Sequence, residues 1–184
     1  MKRRNLIFNI ALAGLFCALI CVGSYIKIPI PNLPITMQTF FVLMTGLVLP
    51  WKTAFFSSFS FMVLGLMGLP VFTSGGGIGY VFMPSFGYVI GFVVASTVMG
   101  LVLSKVKKIS FLILLAAALL GIAIIYVIGI AYFALIANVY NGQGRSFVWI
   151  LQSTVIPFIP KEIISVFAAA LVSYKLRPLI AKFK

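Results

Sequence analysis

The chain has 184 residues, of which 63% are hydrophobic and 8% are charged, whereas soluble domains contain roughly 45–50% apolar and about 25% charged residues. This composition excludes a water-soluble protein, because too few charged side chains are present to cover its surface. The formal net charge of +13 comes from 14 basic residues, one acidic residue and no histidine. Reactions that need paired carboxylates, a histidine base or a Ser-His-Asp triad are therefore excluded, and we expect no enzyme.

The sequence also argues against metal and nucleic-acid partners. Two cysteines and one glutamate cannot supply the ligands of an ordinary zinc site, so we expect no metal and no cofactor. The basic residues form short clusters between long uncharged runs and are not interleaved with aromatic residues on one polar face. Cys17 and Cys21 lie one helical turn apart in an apolar run, which favours small buried thiols over a disulfide. The pattern is typical of a polytopic protein in a lipid bilayer.

Six apolar segments are predicted to cross the membrane, because about 20 apolar residues span a hydrocarbon core of roughly 30 Å. The second segment is short and lies between Pro34 and Pro50, and the sixth is broken by Pro157 and Pro160. No linker or convincing internal repeat is present, so we expect one all-α, six-helix transmembrane domain over residues 1–184. The segments are residues 6–26, 35–49, 53–69, 85–104, 109–137 and 147–174.

The positive charges predict that both termini are cytoplasmic. Eleven basic residues then fall in cytoplasmic segments, whereas only Lys27 and Arg145 fall in outer loops. The start resembles a signal peptide, but its apolar run exceeds about 20 residues without a clear cleavage site, so we predict a retained first helix. The cytoplasmic residues are Lys2, Arg3, Arg4, Lys52, Lys105, Lys107, Lys108, Lys175, Arg177, Lys182 and Lys184.

A glycine-rich outer loop at residues 69–80, between the third and fourth segments, cannot continue a helix, because each glycine costs about 1 kcal/mol relative to alanine. Its apolar flanks keep it near the membrane, where irregular backbone survives only against protein or a water-filled cavity. The N–H groups of Gly75, Gly76, Gly77 and Gly79 are candidates to bind an anion or a urea-like carbonyl. A tight structural loop is the alternative.

Lys161 and Glu162 lie deep in the sixth segment. Lys161 is 14 residues from Lys175 at the cytoplasmic edge, or about 21 Å of a core that is roughly 30 Å thick. Charges at the helix centre cost about 2.5–3.5 kcal/mol and usually serve a function, so we predict that both bind a ligand. Alternatively, Glu162 caps the helix that Pro160 opens and Lys161 reaches outward. Adjacent helical residues point about 100° apart, so we expect no direct pair.

Polar and aromatic residues near the outer face complete the predicted site. Prolines in residues 28–34 fix an extended outer loop. Thr36, Gln38 and Thr39 then open the second segment, where their side chains either cap the helix or point into a cavity. Three aromatic residues beside the glycine loop are predicted as cavity walls: Tyr80, Phe82 and Tyr88.

Small residues form a stripe on the first predicted helix. Ala11, Gly14 and Ala18 share one face, and small residues at this spacing allow another helix to approach closely. Packing within the chain is one interpretation, and docking of a separate membrane subunit is the other.

Five short motifs together closely resemble the biotin-specific substrate-binding subunit (BioY family) of energy-coupling-factor transporters. The resemblance covers nearly the whole chain. One departure is in the sixth segment, where the family motif continues as Pro-Gly-Asp with a lysine three positions after the acid. Here Lys161 takes the glycine position, Glu162 the acid position and Ser165 the lysine position. The motifs are residues 34–39 (Pro-Ile-Thr-Met-Gln-Thr), 68–72 (Gly-Leu-Pro-Val-Phe), 75–80 (Gly-Gly-Gly-Ile-Gly-Tyr), 84–92 (Pro-Ser-Phe-Gly-Tyr-Val-Ile-Gly-Phe) and 157–160 (Pro-Phe-Ile-Pro).

The resemblance implies high-affinity capture of biotin and its uptake across a prokaryotic cytoplasmic membrane. Such subunits usually join a transmembrane coupling protein and two ATP-binding subunits. The chain has no nucleotide motif of its own, so energy for active uptake must come from elsewhere. The competing function is a stand-alone transporter of biotin or a related vitamin, with Glu162 as a proton carrier. A purely structural scaffold is disfavoured by the broken helix and the glycine loop.

The charge pattern generates a test of orientation. We expect a cysteine placed at position 75, in a variant without Cys17 and Cys21, to react with a membrane-impermeant maleimide added from outside intact cells. A cysteine at position 106, between the basic residues of the loop before the fifth segment, is the matched control and should react only after the membrane is opened. Labelling of position 75 only from the cytoplasmic side would contradict the predicted orientation.

Overall fold

The computed structural model describes residues 2–29 and 33–182, and in this part of the chain it contains seven α-helices. Helices α1 to α5 correspond to the first five predicted segments, and α6 and α7 together form the sixth. Two short strands, Lys27–Ile28 (β1) and Ile35–Thr36 (β2), pair antiparallel before the second helix. The helices are α1 Lys2–Tyr25, α2 Gln38–Val48, α3 Trp51–Leu66, α4 Phe86–Ser104, α5 Phe111–Ala134, α6 Phe147–Thr154 and α7 Ile159–Lys182.

Four stretches of the described chain are long and apolar enough to span a membrane, as the hydropathy predicts. They are Asn5–Tyr25, Phe86–Ser104, Phe111–Tyr140 and Phe147–Ile180. The remaining two segments are shorter. Helix α2 has 11 residues and α3 has 16, so at 1.5 Å per residue they extend about 16 Å and about 24 Å. The six-segment, all-α fold is confirmed, with α2 covering only part of the membrane thickness.

The second segment begins later than the hydropathy predicts. Ile35 and Thr36 are extended and pair with Ile28 and Lys27, so the helix starts only at Gln38. The short strand is fixed in place because the Met37 N–H donates to the carbonyl oxygens of Gly23, at 3.2 Å, and Ile26, at 3.1 Å. Part of the predicted proline loop, including Pro31, lies outside the described residues.

The sixth segment is broken, but not at both of the predicted prolines. Helix α6 ends at Thr154, and one turn of 3₁₀-helix, Ile156–Phe158, precedes α7. Pro157 lies in that turn, whereas Pro160 is the second residue of α7, where a missing N–H costs no helical hydrogen bond. Helix α7 then continues to Lys182 through Pro178, beyond the predicted end at residue 174. In the fifth segment, α5 is followed by a π-helix, Leu135–Tyr140.

Helix α2 lies at the centre of the bundle and packs against α1, α3, α4, α5 and α7. Its side chains Val42, Leu43, Leu47 and Thr45 are fully buried. Glycine allows the close approach, because a Cβ on Gly46 would lie 2.8 Å from the Ser96 carbonyl oxygen of α4. Helix α1 packs chiefly against α2 and α3, and α5 packs against α4 and α7.

The two ends of the bundle differ in character. At the loop end, the Tyr25 hydroxyl donates to the Pro70 carbonyl oxygen at 2.6 Å and Lys27 Nζ donates to the Thr73 carbonyl oxygen at 2.7 Å. At the opposite, basic end, Arg177 Nη1 donates to the Leu47 carbonyl oxygen at 2.6 Å. The hairpin formed by β1 and β2 and the glycine-rich loop therefore share one end, away from the basic residues that predict the cytoplasmic side.

Candidate substrate-binding site

A cavity of about 560 Å³, measured with its open mouth, lies at the loop end of the bundle. The hairpin, α2, the glycine-rich loop, α4, α5 and α7 all contribute to its wall. The lining residues are Leu33, Pro34, Thr36, Gln38, Thr39, Phe72, Thr73, Tyr80, Ser85, Tyr88, Val89, Phe92, Ile125, Tyr126, Phe158, Lys161 and Glu162.

A buried ion pair forms one part of this wall. Lys161 Nζ lies 2.7 Å from Glu162 Oε1, and the two side chains are 16% and 9% exposed. The prediction that these neighbours do not pair directly is wrong. The 100° between adjacent helical Cβ directions does not prevent contact, because both side chains are long enough to curve toward each other beyond the helix surface.

The ammonium group of Lys161 makes all of its hydrogen bonds within the protein. Besides Glu162, its ammonium donates to the Thr36 carbonyl oxygen at 3.2 Å and to Thr39 Oγ1 at 3.1 Å. An ammonium has three N–H donors, so these contacts use all of them. Lys161 therefore does not reach outward to the membrane surface, and it joins the start of α7 to the start of α2.

Glu162 retains one free oxygen. Its Oε1 accepts from Lys161 and, at 3.2 Å, from the Tyr126 hydroxyl of α5. Its Oε2 is buried and has no hydrogen-bond partner within the described residues. A buried carboxylate oxygen without a donor is costly, so this position favours a ligand that brings an N–H or O–H group. The capping interpretation is not supported, because neither oxygen bonds to a backbone N–H of α7.

The hydroxyl groups of Thr73, Tyr80 and Ser85, which also line the cavity, form a small hydrogen-bond network. The Ser85 hydroxyl donates to the Tyr80 hydroxyl at 2.9 Å, and the Tyr80 and Thr73 hydroxyls lie 2.9 Å apart. The network contains three O–H protons and two internal hydrogen bonds. One proton therefore remains for an acceptor outside the network, such as a ligand carboxylate or carbonyl.

Aromatic and aliphatic side chains supply the remaining wall. Phe72 and Tyr80 are in contact, with ring centroids 4.5 Å apart, and Phe86 packs edge-on against both rings. Tyr88 and Tyr126 also meet edge to face at 5.9 Å. These rings give the cavity a stiff apolar surface, as is usual in small-molecule sites.

The structure brings together six of the predicted site residues and leaves five outside the cavity. Gln38, Thr39, Tyr80, Tyr88, Lys161 and Glu162 all line the cavity. Phe82 is exposed and stacks on Tyr140. The remaining predicted residues, Gly75, Gly76, Gly77 and Gly79, do not line it.

The glycine-rich loop acts on the cavity through the residues it positions. The Gly77 N–H donates to the Gly65 carbonyl oxygen at 2.7 Å, and the Gly75 N–H donates to the Phe72 carbonyl oxygen at 3.3 Å, so neither N–H is free for a ligand. Gly77 has φ near +106°, which favours glycine. Gly65 also leaves space for the Phe72 ring, which would lie within 2.1 Å of a Cβ there. The loop thereby holds Phe72, Thr73 and Tyr80 at the cavity.

Sequence reasoning missed several lining residues. Tyr126 is the most important of them, because it is the second hydrogen-bond partner of Glu162 Oε1. It stands in the middle of α5, a helix that is apolar all round, so no sequence pattern distinguishes it from a core aromatic residue. The hydroxyl group of Tyr126 within a long apolar run was the only feature of the sequence that could have indicated a lining residue. The other missed lining residues are Leu33, Pro34, Phe72, Thr73, Ser85, Val89, Phe92, Ile125 and Phe158.

The small-residue stripe of α1 faces away from the bundle. Ala11, Gly14 and Ala18 are all exposed. A Cβ built on Gly14 has no neighbour within 4 Å. The interpretation that these residues pack within the chain is therefore not supported by the fold.

Comparison with known proteins identifies the family. The model of the BioY family matches residues 1–182. The chain belongs to the BioY family. Its four long apolar stretches agree with a multi-pass protein of the cytoplasmic membrane.

Individual relatives are similar along most of their length. A probable biotin transporter BioY of Lysinibacillus sphaericus is 37% identical over 79% of this chain and 74% of its own. The biotin transporter BioY of Thermotoga maritima is 36% identical over 91% of this chain and 94% of its own. Among solved structures, the S-component for biotin from an ECF-type ABC transporter superposes with a TM-score of 0.86, at 25% identity, over 97% of this chain and 95% of its own.

The ion pair generates a stability prediction. Lys161→Met keeps the length of the side chain but leaves Glu162 without its cationic partner. We expect a loss of about 3 kcal/mol, the lower end of the range for breaking buried pairs, because Lys161 is 16% exposed. The double variant Lys161→Met/Glu162→Gln should recover part of this loss, since no unpaired charge remains.

The measurement is thermal unfolding in detergent of the parent protein and all variants. Lys27→Met is the matched control, because Lys27 makes one hydrogen bond to a backbone carbonyl oxygen at the loop end. We expect it to lose less than about 1 kcal/mol. Equal losses at Lys27 and Lys161 would show that the ion pair stabilises no more than a surface contact.

Proposed function

We propose that this chain is the substrate-binding subunit of an ATP-driven vitamin transporter. It captures biotin with high affinity in the cavity at the loop end. In this proposal residues 1–184 form one substrate-binding domain. The relatives that carry the name biotin transporter support the ligand. The similarity to an S-component for biotin supports the role within an ECF-type assembly.

The observation that carries the proposal is the free Oε2 atom of Glu162 in the cavity. Glu162 is the only acidic residue of the chain, and an ionised carboxylate accepts hydrogen bonds but donates none. The ureido ring of biotin presents N–H donors. The ligand that satisfies Glu162 therefore has the chemistry of a cyclic urea, and Tyr126 and Lys161 hold the carboxylate in the orientation that presents Oε2.

The other parts of biotin match the remaining wall. The remaining proton of the Thr73, Tyr80 and Ser85 hydroxyl network suits a carboxylate or carbonyl oxygen. The Gln38 amide adds both a donor and an acceptor, and it is buried at the start of α2. Apolar side chains such as Phe92 and Phe158 suit the valeryl chain and the thioether ring.

We also propose partners for the exposed face of α1. A transmembrane coupling protein would pack against Ala11, Gly14 and Ala18, and two ATP-binding subunits would supply the energy. The support is that all three small residues are exposed and that the space beside Gly14 is open. Close helix approach in a membrane depends on such surfaces, because van der Waals packing replaces the hydrophobic effect there.

Titration of the purified protein tests the ligand and the mechanism class together. We expect biotin to bind tightly in detergent, without ATP and without any ion gradient, and riboflavin and thiamine not to bind. Glu162→Gln should weaken biotin binding by about 30-fold to several thousand-fold, because removing one partner of a desolvated charged hydrogen bond costs about 2–5 kcal/mol.

Tyr126→Phe is the matched control for the Glu162 variant. It removes one hydrogen bond to Oε1 but leaves Oε2 in place, so we expect a smaller loss of affinity, about 10-fold. Unchanged biotin affinity in Glu162→Gln, with a lower melting temperature, would remove Glu162 from the site and favour a structural role. Binding that requires a proton gradient would favour the stand-alone proton-coupled transporter.

The α1 face generates a separate prediction. Gly14→Leu and Ala18→Leu place bulky side chains where the proposed coupling protein approaches, so we expect uptake of radiolabelled biotin to fall while biotin binding in detergent is retained. Ala123→Leu, at an exposed alanine of α5, is the control and should leave both unchanged. Loss of binding in both α1 variants would show that this face serves the fold of the chain itself.

A further inference from the structure

A second groove lies at the basic end of the bundle, outside the cavity already described. It is lined by residues of the loop before α5, of α5 itself and of the last turns of α7, and its open volume is about 1050 Å³. We propose that this groove binds the headgroup phosphate of an anionic phospholipid. The lining residues are Lys107, Ile109, Leu114, Tyr174, Lys175, Arg177 and Pro178.

The groove carries positive charge that no acidic side chain among the described residues matches. Three of the seven lining residues are cationic, and none is acidic. Lys107 and Lys175 are exposed and make no hydrogen bond or ion pair within residues 2–29 and 33–182. The only acidic side chain, Glu162, is engaged by Lys161 at the cavity. Among the described residues, no acidic side chain is therefore available to neutralise this groove.

The shape and position of the groove favour a phospholipid over free phosphate. Its cations stand beside the half-buried side chain of Ile109 and the exposed ring of Tyr174, an aromatic residue suited to the membrane interface, whereas Leu114 is fully buried beneath them. Free phosphate would use only the cationic part. A phospholipid uses both parts, because its phosphate lies at the headgroup level and its acyl chains continue along the apolar surface.

Arg177 and Pro178 shape the hydrogen-bonding groups of the groove. Arg177 Nη1 donates to the Leu47 carbonyl oxygen, which holds the guanidinium in the groove and leaves its other N–H groups for phosphate oxygens, a geometry that arginine favours. Pro178 has no N–H for the Tyr174 carbonyl oxygen, four residues earlier in α7. That carbonyl oxygen therefore lacks its usual helical donor.

The location favours lipid over a protein partner. The groove lies between the start of α5 and the end of α7, whereas α1, which carries the exposed small-residue stripe, packs chiefly against α2 and α3. The proposed coupling-protein face and the groove are therefore on different helices. Lipid surrounds α5 and α7 wherever no partner covers them, and anionic lipids attract clustered cations at the cytoplasmic leaflet.

The test compares lipid binding to the full chain and to two double variants by native mass spectrometry from detergent. The groove variant is Lys107→Gln/Lys175→Gln, which removes two exposed lysines and keeps the Arg177 contact. The control is Lys52→Gln/Lys105→Gln, which changes the net charge equally at the same end of the bundle but outside the groove. Biotin titration and melting temperature without lipid establish that each variant is folded.

We expect phosphatidylglycerol to bind the parent chain more tightly than phosphatidylcholine does. The groove variant should bind phosphatidylglycerol about 10- to 30-fold more weakly than the parent chain. Each single lysine substitution should weaken this binding by about fivefold. The control should change by less than about twofold. Equal losses in groove and control variants would overturn the proposal, because general surface charge would then explain the binding.

Two further outcomes would also overturn it. Displacement of phosphatidylglycerol by millimolar inorganic phosphate would identify a free-anion site instead of a lipid site. Unchanged lipid binding in the groove variant, together with reduced biotin uptake in cells at normal biotin binding, would identify a contact surface for another protein. A groove variant that loses phosphatidylglycerol but keeps biotin binding supports the lipid site independently of the proposed transport function.

Discussion

The arrangement of the binding cavity depends on the ion pair between Lys161 and Glu162. Two charges inside a membrane bundle are tolerated only when they are paired and when their remaining hydrogen-bonding capacity is met. Lys161 meets this condition by reaching Thr36 and Thr39, so the pair also fixes the start of α2 against the start of α7. The single carboxylate of the chain is thereby presented to the cavity with one oxygen still free.

The broken sixth segment and the short second segment follow from the same constraint. Both α2 and α7 follow a break in an apolar segment, where an extended or 3₁₀ stretch precedes the helix. Irregular backbone within a membrane is stable only where protein or a water-filled cavity satisfies its polar groups. Here Lys161 satisfies the Thr36 carbonyl oxygen, and the Met37 N–H bonds back to α1. The cavity occupies the space that these two interrupted segments leave open.

The sequence predicts the fold and part of the polar wall of the site for a simple physical reason. Polar and charged residues are rare within the membrane, so Gln38, Thr39, Lys161 and Glu162 are conspicuous, and long apolar runs mark the helices. The aromatic half is less visible, because 15% of the residues are aromatic and Tyr126 differs from its apolar neighbours by one hydroxyl group. Side-chain contacts also depend on rotamers, which the Cβ directions of a helix do not determine. For this reason the contact of Lys161 with Glu162 could not be predicted from the sequence.

The charge distribution separates two tasks along the membrane normal. With 14 basic residues and one acidic residue, the side chains cannot neutralise one another. The positions of these charges therefore determine which ligands or lipids each end of the bundle attracts. At the loop end, the acid is paired with Lys161, so the cavity carries little net charge and recognition depends on directed hydrogen bonds. At the basic end, the cations of the groove have no acid nearby, so recognition there depends on net charge. Directed hydrogen bonds discriminate between small molecules of similar size, whereas net charge favours a class of partners, such as anionic lipid, without requiring one chemical structure.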